Sequence, residues 1–299
     1  MPTFFIILIS AYLAGNTYIF CRGLQAIAAF PLGAKILLAI LFWIGALCFF
    51  GTMLSRNVKM PYYISHPLYD IGTGWLIFTL YMVIFLLLFD ILKLFFSSFS
   101  HYNFYLSLLL TFILLGYGYY NYKHPKTNVV DISLDKQCAG NQQPVKIVAV
   151  SDVHLGNGTG KEALKRYVKM INEQNPDLIL IGGDLIDNSV VPLYAEKMME
   201  ELSELKAPMG IYMVPGNHEY ISGIGESMRF IQNTPILLLR DSVVTLPNGI
   251  QIIGRDDRSN YSRRSLQELM VKVDKSKPII LLDHQPYELE KTEKAGIDL

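Results

Sequence analysis

Four short polar motifs stand in order along the second half of the chain: Asp152-Val153-His154, Gly183-Asp184-Leu185-Ile186-Asp187, Gly216-Asn217-His218-Glu219 and His284. Their side chains are carboxylates, an amide and imidazoles, the donors that hard and borderline cations accept. Two such cations, about 3.5–4 Å apart, stabilise both the attacking and the leaving oxygen of a displacement at phosphorus. Hydrolysis of a phosphate ester is therefore the chemistry this set could perform. Each motif alone has an ordinary reading. Asp152-x-His154 is a turn with a solvated imidazole. Gly183-Asp184 and Asp187-Asn188 are a turn and helix N-cap residues. Pro215-Gly216-Asn217 and Asp283-His284-x-Pro286 are loop signals. The metal reading explains all four together, and the ordinary reading needs four coincidences.

The elements that would position these residues are strands. Apolar runs at Val145–Ser151, Leu178–Ile181, Ile211–Val214 and Pro278–Leu282 each lead directly into one motif. Shorter strands are expected at Ile236–Leu239, Val243–Leu246 and Ile250–Gly254, the last two joined through Pro247-Asn248-Gly249. Helices are expected at Lys161–Gln174, Pro192–Lys206, Ser262–Val273 and Tyr287–Lys294. Strands alternating with helices predict an α/β layered domain over 145–299. Ligands of such sheets gather beyond the carboxyl ends of the strands, so residues distant in sequence can converge on one cleft.

With these motifs in this order, residues 145–299 resemble the calcineurin-like metallophosphoesterase family. The several apolar spans ahead of them resemble its bacterial multi-span membrane-bound branch, which includes relatives acting on lipid-linked sugar nucleotides. The resemblance implies an α/β/β/α sandwich-like fold and two divalent cations, and mixed nitrogen and oxygen ligation points to Mn, Fe or Zn, without choosing among them, rather than Mg alone. It implies that Asp152 and His154 hold the first cation, that Asp184 bridges the two, and that Asn217 and His284 hold the second. It further implies that His218 protonates the leaving oxygen and that Asp187 orients the His218 ring. Glu219 is open between two readings, support of a neighbouring ligand or solvation. The family pattern continues with Gly-His-x-His one strand beyond His284, supplying one further ligand to each cation. The chain ends at Leu299 before that motif, which leads us to expect a truncation within the domain.

Two other segments could touch substrate. Gly254-Arg255-Asp256-Asp257-Arg258 could capture phosphate through Arg255 or Arg258; a surface ion-pair loop is the favoured reading. Arg263 and Arg264 are expected on an exposed helix face. Gly156-Asn157-Gly158-Thr159-Gly160 lacks the Lys-Ser/Thr ending of a P-loop and is expected as a rim.

The first part of the chain is different. Residues 1–122 carry seven charged side chains (Arg22, Lys35, Arg56, Lys59, Asp70, Asp90 and Lys93), and the other 45 of the 52 charges follow them. The net charge of zero thus averages +3 and −3, and neither part is basic enough for a nucleic-acid partner. Four apolar stretches near 4–21, 36–54, 71–96 and 104–120 reach the roughly 20 residues that cross a bilayer. Three spans following the first argue against a cleaved leader. Arg56, Lys59, Lys123 and Lys126 on one side against Arg22, Lys35 and Lys93 on the other lean towards a cytoplasmic catalytic domain. Asp90 reads as a buried polar partner or relay or, the favoured reading, as pairing with Lys93 one turn later near the helix end; Asn16 is expected to bond between helices. Residues 123–144 form a polar linker. Cys21, Cys48 and Cys138 make no CxxC pair and no disulfide framework.

The expected molecule is a four-helix transmembrane region (1–122), a linker, and an α/β metallophosphoesterase domain at a cell membrane. Its partners would be the lipid bilayer and a phosphoester substrate: a phosphodiester, phosphomonoester or pyrophosphate, with an amphipathic, lipid-linked one a candidate. The other reading is a catalytically impaired membrane receptor or scaffold that binds phosphorylated ligands.

Overall fold

The computed structural model describes residues 2–55, 60–95, 102–136, 144–287 and 289–299. Arg56, Lys59, Phe96, His101, Cys138 and Gly140 lie outside the described residues. The chain divides into two units, Met1–Asn128 and Val129–Leu299.

The first unit holds four helices: α1 (Pro2–Ala26), α2 (Leu32–Ser55), α3 (Tyr62–Phe95) and α4 (Asn103–Lys123). All four are long and apolar enough to cross a membrane, because a helix satisfies its own backbone groups where no water can. Each runs beyond the span read from the sequence, and α3 begins nine residues before Ile71. Small residues let these helices approach. A Cβ on Gly45 would run into the Trp75 ring, and one on Gly72 would meet the Cys48 carbonyl. Polar side chains tie the helices together. The Trp75 indole N–H donates to Asn16 Oδ1 (2.9 Å) and the Thr79 hydroxyl to the same oxygen (3.3 Å). Asp90 does not follow the sequence expectation. It accepts from Arg22 Nη2 and from the Tyr18 hydroxyl, each at 2.5 Å, because α1 brings a guanidinium that same-helix spacing could not reveal.

The second unit is built on two sheets. One is parallel, in the order β1 (Ile147–Val150), β2 (Leu178–Ile181), β3 (Ile211–Met213), β4 (Leu237–Leu238). The other contains β5 (Ser242–Thr245), β6 (Gln251–Gly254) and β7 (Ile279–Leu282), with β5 antiparallel and β7 parallel to β6. Side chains alternate faces along a strand, and here both faces are buried. Ile179, Ile181, Ile211 and Met213 pack against α5 (Lys161–Glu173), α6 (Val191–Ala195), α7 (Met198–Leu202) and α9 (Ile224–Ile231). The alternate residues Leu178, Leu180 and Tyr212 meet Ile250, Ile252 and Ile280 of the second sheet. Ile253 and Ile279 face α10 (Leu266–Met270). The layers therefore run helix, sheet, sheet, helix, as expected.

Three local expectations change. The helix expected over Pro192–Lys206 is broken into α6 and α7, with Lys197 left-handed between them (φ 55°). The helix expected over Ser262–Val273 is only α10, and Arg263 lies ahead of it. The turn expected at Asn217 is the start of a short helix, α8 (Asn217–Ile221), with α9 following. The tail of the chain runs along β7: Leu281 N–H donates to the Leu299 carbonyl (2.8 Å) and Asp298 N–H to that of Ile279 (3.1 Å).

Candidate metal centre

β1, β2, β3 and β7 each end one or a few residues before a polar motif, which brings the motifs to one edge. The loops that leave β1 and β2 stay paired beyond the strands. Asp152 N–H donates to the Gly183 carbonyl (3.1 Å), His154 N–H to that of Asp184 (2.9 Å), and Leu155 N–H to that of Leu185 (2.7 Å). Within this pairing Asp152, His154 and Asp184 are all left-handed (φ 56°, 50° and 51°). Non-glycine residues rarely accept that conformation, and such strain collects at functional sites where the surroundings fix it. Gly183 (φ 98°) is required: a Cβ there would sit 2.7 Å from His284 Nδ1 and 2.9 Å from the Gly216 nitrogen.

Asp184 is the centre of the cluster. Its Oδ2 lies 3.6 Å from His154 Nε2 and 3.2 Å from His284 Nε2. Its Oδ1 accepts the backbone N–H of His218 (2.8 Å). Its side chain is 4% exposed, whereas that of Asp152 is 60% exposed, so the cluster is closed behind Asp184 and open beside Asp152. Burial works to raise the Asp184 pKa, but His284 and the His218 N–H outweigh it and hold the carboxyl below its ordinary value. His284 Nδ1 faces the Gly182 carbonyl (2.8 Å), which turns Nε2 towards Asp184. The hydrogen bond to Asp184 leads the causes that push the His284 pKa up to about 9. A cation binding at Nε2 must displace that proton.

The other residues complete the arrangement. His154 Nε2 lies 3.7 Å from Asp152 Oδ1, and His154 Nδ1 lies 3.5 Å from Asp187 Oδ1. The same Asp187 oxygen lies 3.0 Å from His218 Nδ1. The His154 and His218 rings meet edge to face with centroids 4.4 Å apart. Two triplets bring their ligand atoms within 4.8 Å of one another: Asp152, His154, Asp184 and His154, Asp187, His218. Asn217 joins from the start of α8, where its Oδ1 accepts from Gln285 Nε2 (2.9 Å). These contacts join six of the seven residues singled out in the sequence, and Asn217 reaches them through Gln285, the neighbour of His284. The donor set of oxygens and imidazoles around a buried carboxylate fits divalent cations.

Three further residues matter. Glu219, left open by the sequence, is fully buried and does not solvate. Its carboxylate accepts the N–H groups of Asp184 (3.0 Å), Ile186 (2.9 Å) and Gly216 (2.7 Å), fastening the β2 loop to the β3 loop. Burial pushes its pKa up to about 7 against the pull of those donors. Ser151 Oγ donates to Asp152 Oδ2 and Asn188 Nδ2 to Asp187 Oδ2, each at 2.5 Å. In the sequence, Gln285 and Ser151 stand out only as neighbours of candidate ligands.

The loop after β6 is less exposed than expected. Asp256 and Asp257 are buried. Arg255 reaches Asp283 at 2.8 Å and Arg263 reaches it at 3.4 Å, so Arg263 does not decorate a helix face. Arg240 grips Asp256 through Nε (3.0 Å) and Nη2 (2.8 Å).

Sequence comparison agrees with this geometry. Residues 145–297 match the family described as calcineurin-like phosphoesterase. A metallophosphoesterase of Helicobacter pylori is 32% identical over 212 residues, 68% of this chain and 54% of that protein. One of Campylobacter jejuni is 28% identical over 299 residues, 94% of this chain and 77% of that protein. A Danio rerio protein named as a transmembrane protein with metallophosphoesterase domain is 31% identical over 196 residues, 61% and 44% of the two chains. The chain spans about half the length of the Helicobacter relatives it matches. With a match over half its residues and the ligand cluster at the sheet edge, the chain belongs to the calcineurin-like phosphoesterase family.

Proposed function

We propose that the second unit hydrolyses a phosphoester with two divalent cations, and that the four helices keep this activity at a membrane. The observation that carries the reading is the position of Asp184 Oδ2 between His154 and His284. A buried carboxylate flanked by two imidazoles is a site waiting for positive charge. Asp152 and His154 would hold one cation, Asn217 and His284 the other, and Asp184 both. Bound there, the cations would supply Lewis acidity towards the phosphoryl oxygens and lower the pKa of water. Manganese, iron or zinc suits this mixed nitrogen and oxygen set better than magnesium.

The protein's own groups supply the rest. His218 stands at the start of α8 and presents an imidazole beside the cluster. Its Nδ1 faces the Asp187 carbonyl (3.2 Å) and lies 3.0 Å from Asp187 Oδ1, which would leave Nε2 to give a proton to the departing oxygen. Asp152, being largely exposed, marks the side from which substrate enters. The four-against-three lean of basic residues flanking the spans supports a cytoplasmic catalytic unit, and the anchor makes an amphipathic substrate a candidate.

Asp184→Asn should abolish Mn²⁺-dependent hydrolysis of an aryl phosphodiester and lower bound metal measured by elemental analysis. His218→Ala should keep its metal but lose about 10²–10⁴-fold in kcat, most for poor leaving groups. Undiminished activity and metal content in Asp184→Asn would end this assignment.

A further inference from the structure

The loop after β6 carries a cation that the fold itself does not consume. Within or beside this loop, Arg255 and Arg263 are spent on Asp283, and Arg240 on Asp256. Arg258 forms no ion pair among the described residues. Instead its guanidinium lies over the Tyr287 ring, 3.9 Å from the centroid. A guanidinium stacked on an aromatic face uses only its π surface. Its N–H donors point outwards in the plane and remain free to grip an oxyanion through two parallel bonds.

The location of this pair is fixed to the metal-bearing segments from two directions. Asp283, clamped by Arg255 and Arg263, is the residue before His284. Asp256 accepts from the Tyr220 hydroxyl (2.8 Å), and Tyr220 lies three residues after Asn217 on α8. Tyr287 is three residues after His284, with its N–H folded back onto the Gln285 carbonyl (2.8 Å). Even fully extended, three residues span only about 10 Å. Arg258 and Tyr287 therefore stand on the rim of the candidate centre, on backbone tied to it.

We infer that Arg258, held by Tyr287, is a subsite for a second anionic oxygen group, so that the preferred substrate carries another phosphate beside the scissile one. This rests on the phosphoesterase reading and names its substrate class: pyrophosphate diesters over singly charged phosphodiesters. The same chemistry could come from an anionic lipid headgroup, and the experiment separates the two.

The full chain in mixed micelles, with Mn²⁺, would be assayed on a singly charged aryl phosphodiester and on an aryl alkyl pyrophosphate. Arg258→Ala should raise KM for the pyrophosphate about tenfold, the worth of one charge-assisted bidentate contact, with kcat and the singly charged ester changed less than about twofold. Arg258→Lys should recover part of the loss and Tyr287→Leu should reproduce part of it. An equal effect on both substrates, or none on either, overturns the proposal. So does a loss that appears only when anionic lipid is present in the micelle, which would assign Arg258 to the headgroup. If the wild-type chain hydrolyses neither substrate, nor an aryl phosphomonoester, the phosphoesterase reading fails on its own. Calorimetric binding of a methylene-bridged pyrophosphate to wild type and Arg258→Ala then decides the subsite, with weaker binding to the variant supporting it and equal binding overturning it.

Discussion

The two units of this chain bury polar groups for different purposes. In the helical unit many apolar side chains face outwards, and Leu37, Leu41, Ile44 and Ile113 are all more than half exposed, around a small inner cluster of Ile19, Met82 and Leu86. The polar residues Asn16, Thr79, Ser107 and Thr111 are turned inwards. In the α/β unit most of the buried residues are apolar, and four of the buried acids, Asp184, Glu219, Asp256 and Asp257, stand in the motifs and loops beyond the strands. The solvent accounts for the contrast. Lipid offers an apolar side chain as much as a neighbouring helix does, so polar contacts hold the helices together. Water drives a core to form, and the charges left inside must then be answered by backbone donors or ion pairs. Polar burial in the first unit is glue, and in the second it is alignment of loops.

The largest test of that contrast is Glu219. Its carboxylate answers three buried N–H groups from two loops. Glu219→Ala leaves all three without an acceptor, at roughly 1–3 kcal/mol each, so a loss of roughly 3–9 kcal/mol is expected. That is a large share of a domain's stability. Denaturant titration of the protein should show it, together with weakened Mn²⁺ binding, since Asp184 and Gly216 are held by this side chain. A loss below about 1 kcal/mol would mean that water replaces the carboxylate and that the alignment has another source.

The helical unit should respond more mildly. Arg22 and Asp90 meet at 2.5 Å, with side chains 22% and 32% exposed. Asp90→Leu removes the ion pair and leaves the Arg22 guanidinium bonded to Gln25 Oε1 (3.1 Å), and should cost about 1 kcal/mol in a lipid or detergent unfolding assay, given the small couplings measured between membrane helices. Arg22→Met combined with Asp90→Leu should recover most of that cost, because a charge pair can be exchanged for apolar packing. If the double variant is worse than the sum of the singles, the pair does more than join α1 to α3, and an intramembrane function becomes the better reading.

These residues also show what a sequence can reveal. The seven candidate residues could be picked out because their motifs follow short apolar runs that read as strands, and strand ends converge. The layers were legible because the α/β alternation and the buried strands declare themselves locally. Glu219 was not, since its role lies in accepting from backbone groups more than thirty positions away. Asp90 was misread for the same reason: Lys93 is near in sequence, and Arg22 is near in space. Arg263 was assigned to a helix by its neighbours, while Asp283, twenty positions on, claims it. The left-handed Lys197, which splits one expected helix into two, left no composition signal.

The smallest expected effect concerns the loop that presents Arg258. Burial works to raise the pKa of Asp256, but the bonds from Arg240, Asn260 and Tyr220 outweigh it and hold the carboxyl below its ordinary value. A carboxyl depressed on folding stabilises the folded state above its unfolded pKa of about 3.9 and loses that contribution as pH falls through the depressed value. Arg240→Met removes the cation and leaves burial to act on Asp256, so the variant should be less stable than wild type at neutral pH. Lowering the pH protonates Asp256 in both proteins and removes the reason for the difference. The gap in unfolding midpoint should therefore be widest above about pH 5 and close progressively below about pH 4. A gap that stays constant across this range would assign the effect of Arg240 to its contact with Met228 Sδ (3.1 Å) and to packing, rather than to charge.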